Sequence, residues 1–175
     1  MSRNVEIKAK INDLQGFLKR AASISDKPEV ILQQIDTYFK VPNGRLKLRQ
    51  IQNEKSELIF YDRPDTEGPK LSNYNKQEFQ NSEEAEGLKK VLESSLGLVG
   101  VVSKQRHLFM SGQTRIHVDD VKNLGHFMEL EVMLKEGESL EYGEKIAQDL
   151  MTKLGVQKED LLSGSYINLL TSKGS

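Results

Sequence analysis

Arg45, Lys47 and Arg49 occupy alternate positions, with Leu46 and Leu48 between them. In an extended segment alternate side chains leave the same face, so the three cations project together. The pattern recurs along the chain. Glu6 and Lys8 share a face opposite Val5 and Ile7. In the same way Lys76 goes with Glu78, Lys104 with Arg106, and Glu129 with Glu131. Arg115, His117 and Asp119 stand opposite Ile116 and Val118. Several segments are thus apolar on one side and almost wholly charged on the other.

The two signs of charge suit two tasks. Glu6, Asp119, Glu129 and Glu131 are hard oxygen donors of the kind that hold Mg2+ or Mn2+. The arginines and lysines suit phosphate oxygens, arginine through paired N–H contacts. Together they describe phosphoryl or nucleotidyl transfer, with metal and cations neutralising phosphate charge. No P-loop, kinase glycine-rich loop or dinucleotide-binding fingerprint is present. Side chains, not a helix N-terminus, would therefore hold the phosphates. The competing reading is a sheet with one solvated charged face, common on exposed strands. Three cations in a row repel each other unless an anion lies among them, which weighs against it. Charged faces turned inward would need a charged ligand and metal, because unpaired buried charge is costly.

Alternation predicts strands over Val5–Lys10, Ile35–Lys40, Arg45–Gln50, Glu57–Asp62, Tyr74–Phe79, Val101–Phe109, Thr114–Val118 and Phe127–Leu134. Helical periodicity predicts three helices. One spans Asp13 to Ser23 with Asn12 as N-cap, and one follows Ser82 as N-cap up to Gly97. The third spans Leu140 to Leu154 and stops at Gly155. Lys158–Leu161 reads as a short turn, helical in part, and Ser163–Tyr166 as a turn before the end. Closely spaced strands disfavour parallel crossovers. The expected fold is α+β, mainly β: a closed or nearly closed antiparallel barrel with helices packed outside.

Bulk composition agrees with this and excludes several alternatives. The 175 residues suit one domain over 1–175 with a buried core. Net charge is −1, from 25 Lys+Arg against 26 Asp+Glu, which gives no sign of nucleic-acid or membrane binding. The absence of cysteine excludes disulfides, thiolate metal sites and a cysteine nucleophile, and fits a cytoplasmic protein. No apolar run spans a bilayer and the N-terminus carries no secretory signal. His107, His117 and His126 lack metal-like spacing and read as surface or structural, with His117 also able to line an interior. Tyr38 and Phe39 read as core.

The ordered series of charged strands resembles the CYTH superfamily, the triphosphate tunnel metalloenzymes. Its hallmark is an E-x-E-x-K strand inside an eight-stranded antiparallel tunnel. The matching segment here is Asn4-Val5-Glu6-Ile7-Lys8, so asparagine replaces the first glutamate. Gln34–Phe39 followed by Gly44–Arg49, then Tyr61–Pro64 and Ser72–Lys76, look like the class IV adenylyl cyclase branch. Val102–Arg106, Arg115–Asp119 and Phe127–Glu131 complete the pattern. The resemblance implies metal binding by Glu6, Asp119, Glu129 and Glu131. It implies phosphate binding by Lys8, Arg45, Lys47, Lys76, Lys104, Arg106 and Arg115, with Arg49 and Arg63 as phosphate or ion-pair residues. Lys8, Lys76 and Arg106 are the candidate catalytic cations. The implied cofactor is Mg2+ or Mn2+. The implied partner is inorganic tripolyphosphate or a triphosphate-bearing small molecule, bound by a monomer or homodimer. Three activities fit: hydrolysis of tripolyphosphate or an organic triphosphate such as thiamine triphosphate; cyclisation of ATP to cyclic AMP and pyrophosphate; or triphosphate binding without turnover. Hydrolysis leads because it requires only a positioned water.

Overall fold

The computed structural model describes residues 2–173. Eight strands close into a barrel: β1 (Ser2–Lys10), β2 (Val30–Phe39), β3 (Arg45–Ile51), β4 (Ser56–Asp62), β5 (Lys70–Phe79), β6 (Leu98–Ser111), β7 (Thr114–Val121) and β8 (Gly125–Met133). Their order around the barrel is β1-β5-β4-β3-β2-β6-β7-β8, and every neighbouring pair is antiparallel. Closure leaves no sheet edge exposed. The expected eight-stranded antiparallel barrel with external helices is the observed fold.

Register brings opposite charges directly across strand boundaries. Lys8 stands opposite Glu129 between β1 and β8, Arg49 opposite Asp36 between β3 and β2, and Arg106 opposite Asp119 between β6 and β7. Opposite-charge cross-strand pairs favour their own register over a slip, which would turn each side chain to the other face.

The apolar faces look outward and are covered by helices. Helices α1 (Leu14–Ile24) and α3 (Leu140–Leu154) pack over β1, β7 and β8. Val5, Ile7, Ile116, Val118, Met128, Leu130 and Val132 from the strands meet Phe17, Ala21, Ala147, Leu150 and Leu154 from the helices. Burying each large side chain contributes about 1.5–3 kcal/mol. Helix α2 (Ser82–Leu96) lies across β2 to β5. As expected, α3 stops at Gly155, whose φ of 72° is the left-handed conformation favoured at a helix end.

Three local expectations need correction. The α1 N-cap is Asp13, whose carboxylate accepts from the Gly16 N–H at 3.1 Å, while Asn12 turns its amide to Asp160. The α2 N-cap is Asn81 instead of Ser82, its side chain accepting from the Glu83 N–H at 2.8 Å. The segment after Gly164 is a helix, α4 (Tyr166–Lys173), not a terminal turn.

Helix α4 closes one end of the barrel. Its Tyr166 and Ile167 pack into a second core with Tyr38, Tyr61, Val102, Val121 and Phe127, all contributed by interior strand positions. Ile167 comes so close to the β6 backbone at Gly100 that a Cβ there would lie 2.7 Å from Ile167 Cδ1. A side chain at position 100 would require the end of the Ile167 side chain to move aside. Among the described residues no helix caps the opposite end, and none is long and apolar enough to cross a membrane.

Candidate functional site

The barrel interior holds a cavity of about 330 Å³ whose floor is Ser165 and Tyr166. Alternation on each strand decides what lines it. β1 contributes Asn4, Glu6 and Lys8, β2 Gln34, Asp36 and Tyr38, and β8 Glu129 and Glu131. Of the residues expected to act, Lys47, Arg49, Arg63, Lys76, Lys104, Arg106 and Arg115 also line it. Leu32, Ile51, Ile59 and Leu108 add apolar surface, the first two and Leu108 toward the uncapped end. The charged faces are therefore interior, not a solvated outer face.

Two expected residues lie apart. Arg45 is interior in phase but sits at the closed end, outside the cavity lining. Its guanidinium donates to the Asp65 carboxylate at 2.9 Å and to Asn168 Oδ1 on α4 at 2.8 Å. Asp119 is fully buried beneath the cavity. Its two oxygens accept from Arg106 at 2.7 and 2.8 Å, and Oδ2 also accepts from the Tyr166 hydroxyl at 2.7 Å. Both oxygens are thus occupied, and Asp119 does not join the other carboxylates. Glu6 lines the cavity but is ion-paired with Arg63.

The cations gather around a carboxylate that the sequence reading did not single out. Asp36, 1% exposed, accepts two bonds from Arg49 at 2.8 Å each and one from Lys104 at 2.9 Å, and Lys47 stands 3.3 Å away. Burial opposes its ionisation, yet Arg49, Lys104 and Lys47 hold its carboxyl well below the usual range. The signal was its interior phase between Gln34 and Tyr38, opposite the Arg45-Lys47-Arg49 triplet. Burial also lowers Lys104 and Lys8. Lys104 falls to about 7 despite Asp36, with Arg49 and Arg106 adding to the drop, and Lys8 falls to about 8 despite Glu129.

The opposite wall carries the acids. Glu129 Oε1 lies 3.6 Å from Lys8 Nζ and 3.7 Å from Arg106 Nη2. Burial alone would raise both Glu129 and Glu131. Lys8, His117 and Arg106 bring Glu129 well below the ordinary carboxyl value, and His117 and Arg115 bring Glu131 down. Both are ionised at neutral pH and ready to serve as oxygen donors. Asn4 Nδ2 donates to Glu131 Oε2 at 3.3 Å, while Asn4 Oδ1, also buried, has no hydrogen-bond partner among the described residues. His117 corrects the expectation of no metal-like arrangement. It does not arise from sequence spacing, but one ligand atom each from His117, Glu129 and Glu131 lie within 4.8 Å of one another. His107 pairs with Glu29 and His126 lies 3.7 Å from Asp120, both away from the cavity.

The C-terminal segment reaches the same cations. The Gly164 carbonyl accepts from Lys8 Nζ at 3.3 Å and from Arg63 Nη2 at 3.0 Å. The Tyr166 ring lies 4.1 Å beneath the Lys8 ammonium, within cation–π range. A clustered anionic and imidazole donor set, facing buried cations across one cavity, can hold a divalent ion and an extended polyanion together. The buried, unpartnered His117 Nδ1 and Asn4 Oδ1 beside ionised carboxylates fit such an ion.

The CYTH domain model matches residues 2–166. The adenylate cyclase CyaB of Aeromonas hydrophila is 26% identical over 175 residues, spanning 94% of this chain and 87% of the relative. The solved structure of the PH1012 protein from Pyrococcus horikoshii superposes with a TM-score of 0.81 at 26% identity, covering 95% of this chain and 98% of that one. A conserved hypothetical protein from Pyrococcus furiosus gives 0.80 at 26% identity, covering 95% and 99%.

Proposed function

The chain belongs to the CYTH domain family, whose tunnel processes triphosphates with divalent metal, and on that premise we propose that it is a Mg2+- or Mn2+-dependent triphosphatase. Its substrate is tripolyphosphate or an organic triphosphate such as thiamine triphosphate. The observation that carries the reading is the sorting of the cavity wall, with cations gathered at Asp36 facing the acids Glu129 and Glu131.

Each group has a task in this reading. Lys47, Arg49 and Lys104 are held by a single carboxylate, so an arriving polyphosphate gives them further anionic partners without loss of Asp36. Lys8 and Arg106, beside Glu129, meet the phosphate nearest the acids and neutralise charge that grows on its oxygens in the transition state. Lys76 sits at the cavity margin with Glu57 at 3.2 Å, and Arg115 near Glu131, where they bind the outer part of the polyanion. Glu129 and Glu131, with Glu6, would hold the metal, which when bound supplies charge neutralisation at phosphate oxygens. Leu32, Ile51 and Leu108 toward the uncapped end offer apolar contact to an organic group.

The name of the Aeromonas relative favours a second reading, cyclisation of ATP. Incubation with tripolyphosphate, thiamine triphosphate or ATP, with Mg2+ or Mn2+ and all products resolved, separates the readings. Orthophosphate release is expected. Cyclic AMP with pyrophosphate would select the cyclase, and tight binding without product would replace both with a binding module.

A further inference from the structure

We infer that His117 is a metal ligand, completing a mixed nitrogen and oxygen site with Glu129 and Glu131 that prefers Mn2+ to Mg2+. The inference rests on the metal-dependent reading above and deepens it. His117 is 3% exposed on β7, opposite Glu129 in register. Among the described residues its Nδ1 finds no hydrogen-bond partner, yet it lies 3.4 Å from Glu131 Oε1 and 3.9 Å from Glu129 Oε2. Buried ring nitrogens ordinarily find a partner. Here the nitrogen faces two carboxylates at ion-pair distance without a formed hydrogen bond, and one ligand atom from each of the three residues lies within 4.8 Å of the others. That spacing leaves the centre of the group as the shared partner. The neutral tautomer protonated at Nε2 directs the Nδ1 lone pair there.

Asn4 supports the arrangement as a positioning residue. Its amide N–H donates to Glu131 Oε2, which leaves Oε1 turned to His117. Hydrogen bonds of this kind orient ligating carboxylates. The β1 strand therefore offers an amide at the position of the motif's first glutamate, and β7 offers an imidazole in compensation. Mg2+ favours an all-oxygen shell and sheds water reluctantly, whereas imidazole is at home on transition ions.

The test uses the whole chain with metal alone. Pulsed electron paramagnetic resonance on the Mn2+-loaded protein reads coupling to a directly bound 14N. Calorimetry compares Mn2+ with Mg2+ in wild type and His117→Gln. The expected result is 14N coupling in wild type and none in the variant. Mn2+ affinity should fall in the variant by at least the about 10- to 100-fold typical of losing a residue that only orients a ligand, with Mg2+ affinity nearly unchanged. If His117→Gln does not fold, the wild-type spectrum alone decides. Mn2+ bound without nitrogen coupling, and lost in Glu131→Gln, would overturn the role of His117 while leaving the metal-dependent function intact. No Mn2+ bound even with tripolyphosphate present would overturn both.

Discussion

Replacing Asp36 with asparagine keeps the shape of the side chain and removes its charge. In the wild-type protein that charge is shared by Arg49 through two 2.8 Å bonds, Lys104 at 2.9 Å and Lys47 at 3.3 Å, all nearly excluded from solvent. Asparagine can accept from one of these cations, but its NH2 group must face another. Breaking one partner of a buried ion pair costs about 3–5 kcal/mol, because the other charge stays buried without compensation. For a chain of this size each kcal/mol is worth about 2–4 °C, so Asp36→Asn should melt about 6–20 °C lower. The same substitution leaves three cations short of an anion, and tripolyphosphate supplies one. Its stabilising shift should therefore be larger in the variant than in wild type. The assay is thermal unfolding by circular dichroism, with and without tripolyphosphate, at low salt. A drop of less than about 2 °C, outside the range expected for a broken buried pair, would refute the reasoning. So would a ligand shift no larger than in wild type.

Three further outcomes follow from the same geometry. Lys8→Ala removes a charge-assisted contact at the floor and should weaken tripolyphosphate binding by about 1.5–3 kcal/mol, read by calorimetry; an unchanged affinity would remove Lys8 from the phosphate site. Lys104 and Lys8, lowered by burial to about 7 and about 8, should give tripolyphosphate affinity that falls as pH rises from 7 to 9, with proton uptake on binding. With folded values below the unfolded lysine value, the folded apo protein holds fewer protons between these values and 10.5, so their contribution to apo stability rises with pH across that window. A flat binding profile would show that neither lysine titrates in the free cavity. Asn4→Glu puts a carboxylate against Glu131, so it should lower the apo melting temperature and also the metal concentration needed for half-maximal turnover; no change in either would place position 4 outside the metal's reach.

Much of this was written in the strands. A period of two needs no tertiary information, so the inward set from Glu6 to Glu131 followed from alternation alone once enough segments agreed. What alternation cannot supply is depth along the barrel. Arg45 has the same phase as Lys47 and Arg49, but α4 and Asp65 claim it at the closed end. Asp119 has the phase of His117, yet sits one step lower, under Arg106 and Tyr166. His117 was read by sequence spacing, and its partners come from the adjacent strand, where spacing carries no information. The strands β2 and β5 begin earlier than expected, at Val30 and Lys70, because pairing with β6 and with β1 extends them past their clear alternation. The α4 segment was missed for a different reason. Its burial comes from plugging an interior that exists only after closure.

That plug makes the barrel a blind alley. With Tyr166 and Ile167 filling one end, a polyanion cannot thread through, and only a chain terminus can reach Lys8 and Arg106. Traffic is then first in, last out. In the triphosphatase proposed above, a phosphate freed against the floor would wait behind whatever it was cleaved from, so the larger product would have to leave first. On the same proposal, that geometry would bar cleavage inside a long polyphosphate. Chain length should therefore be sensed only by the part that projects past Leu32, Ile51 and Leu108 into solvent.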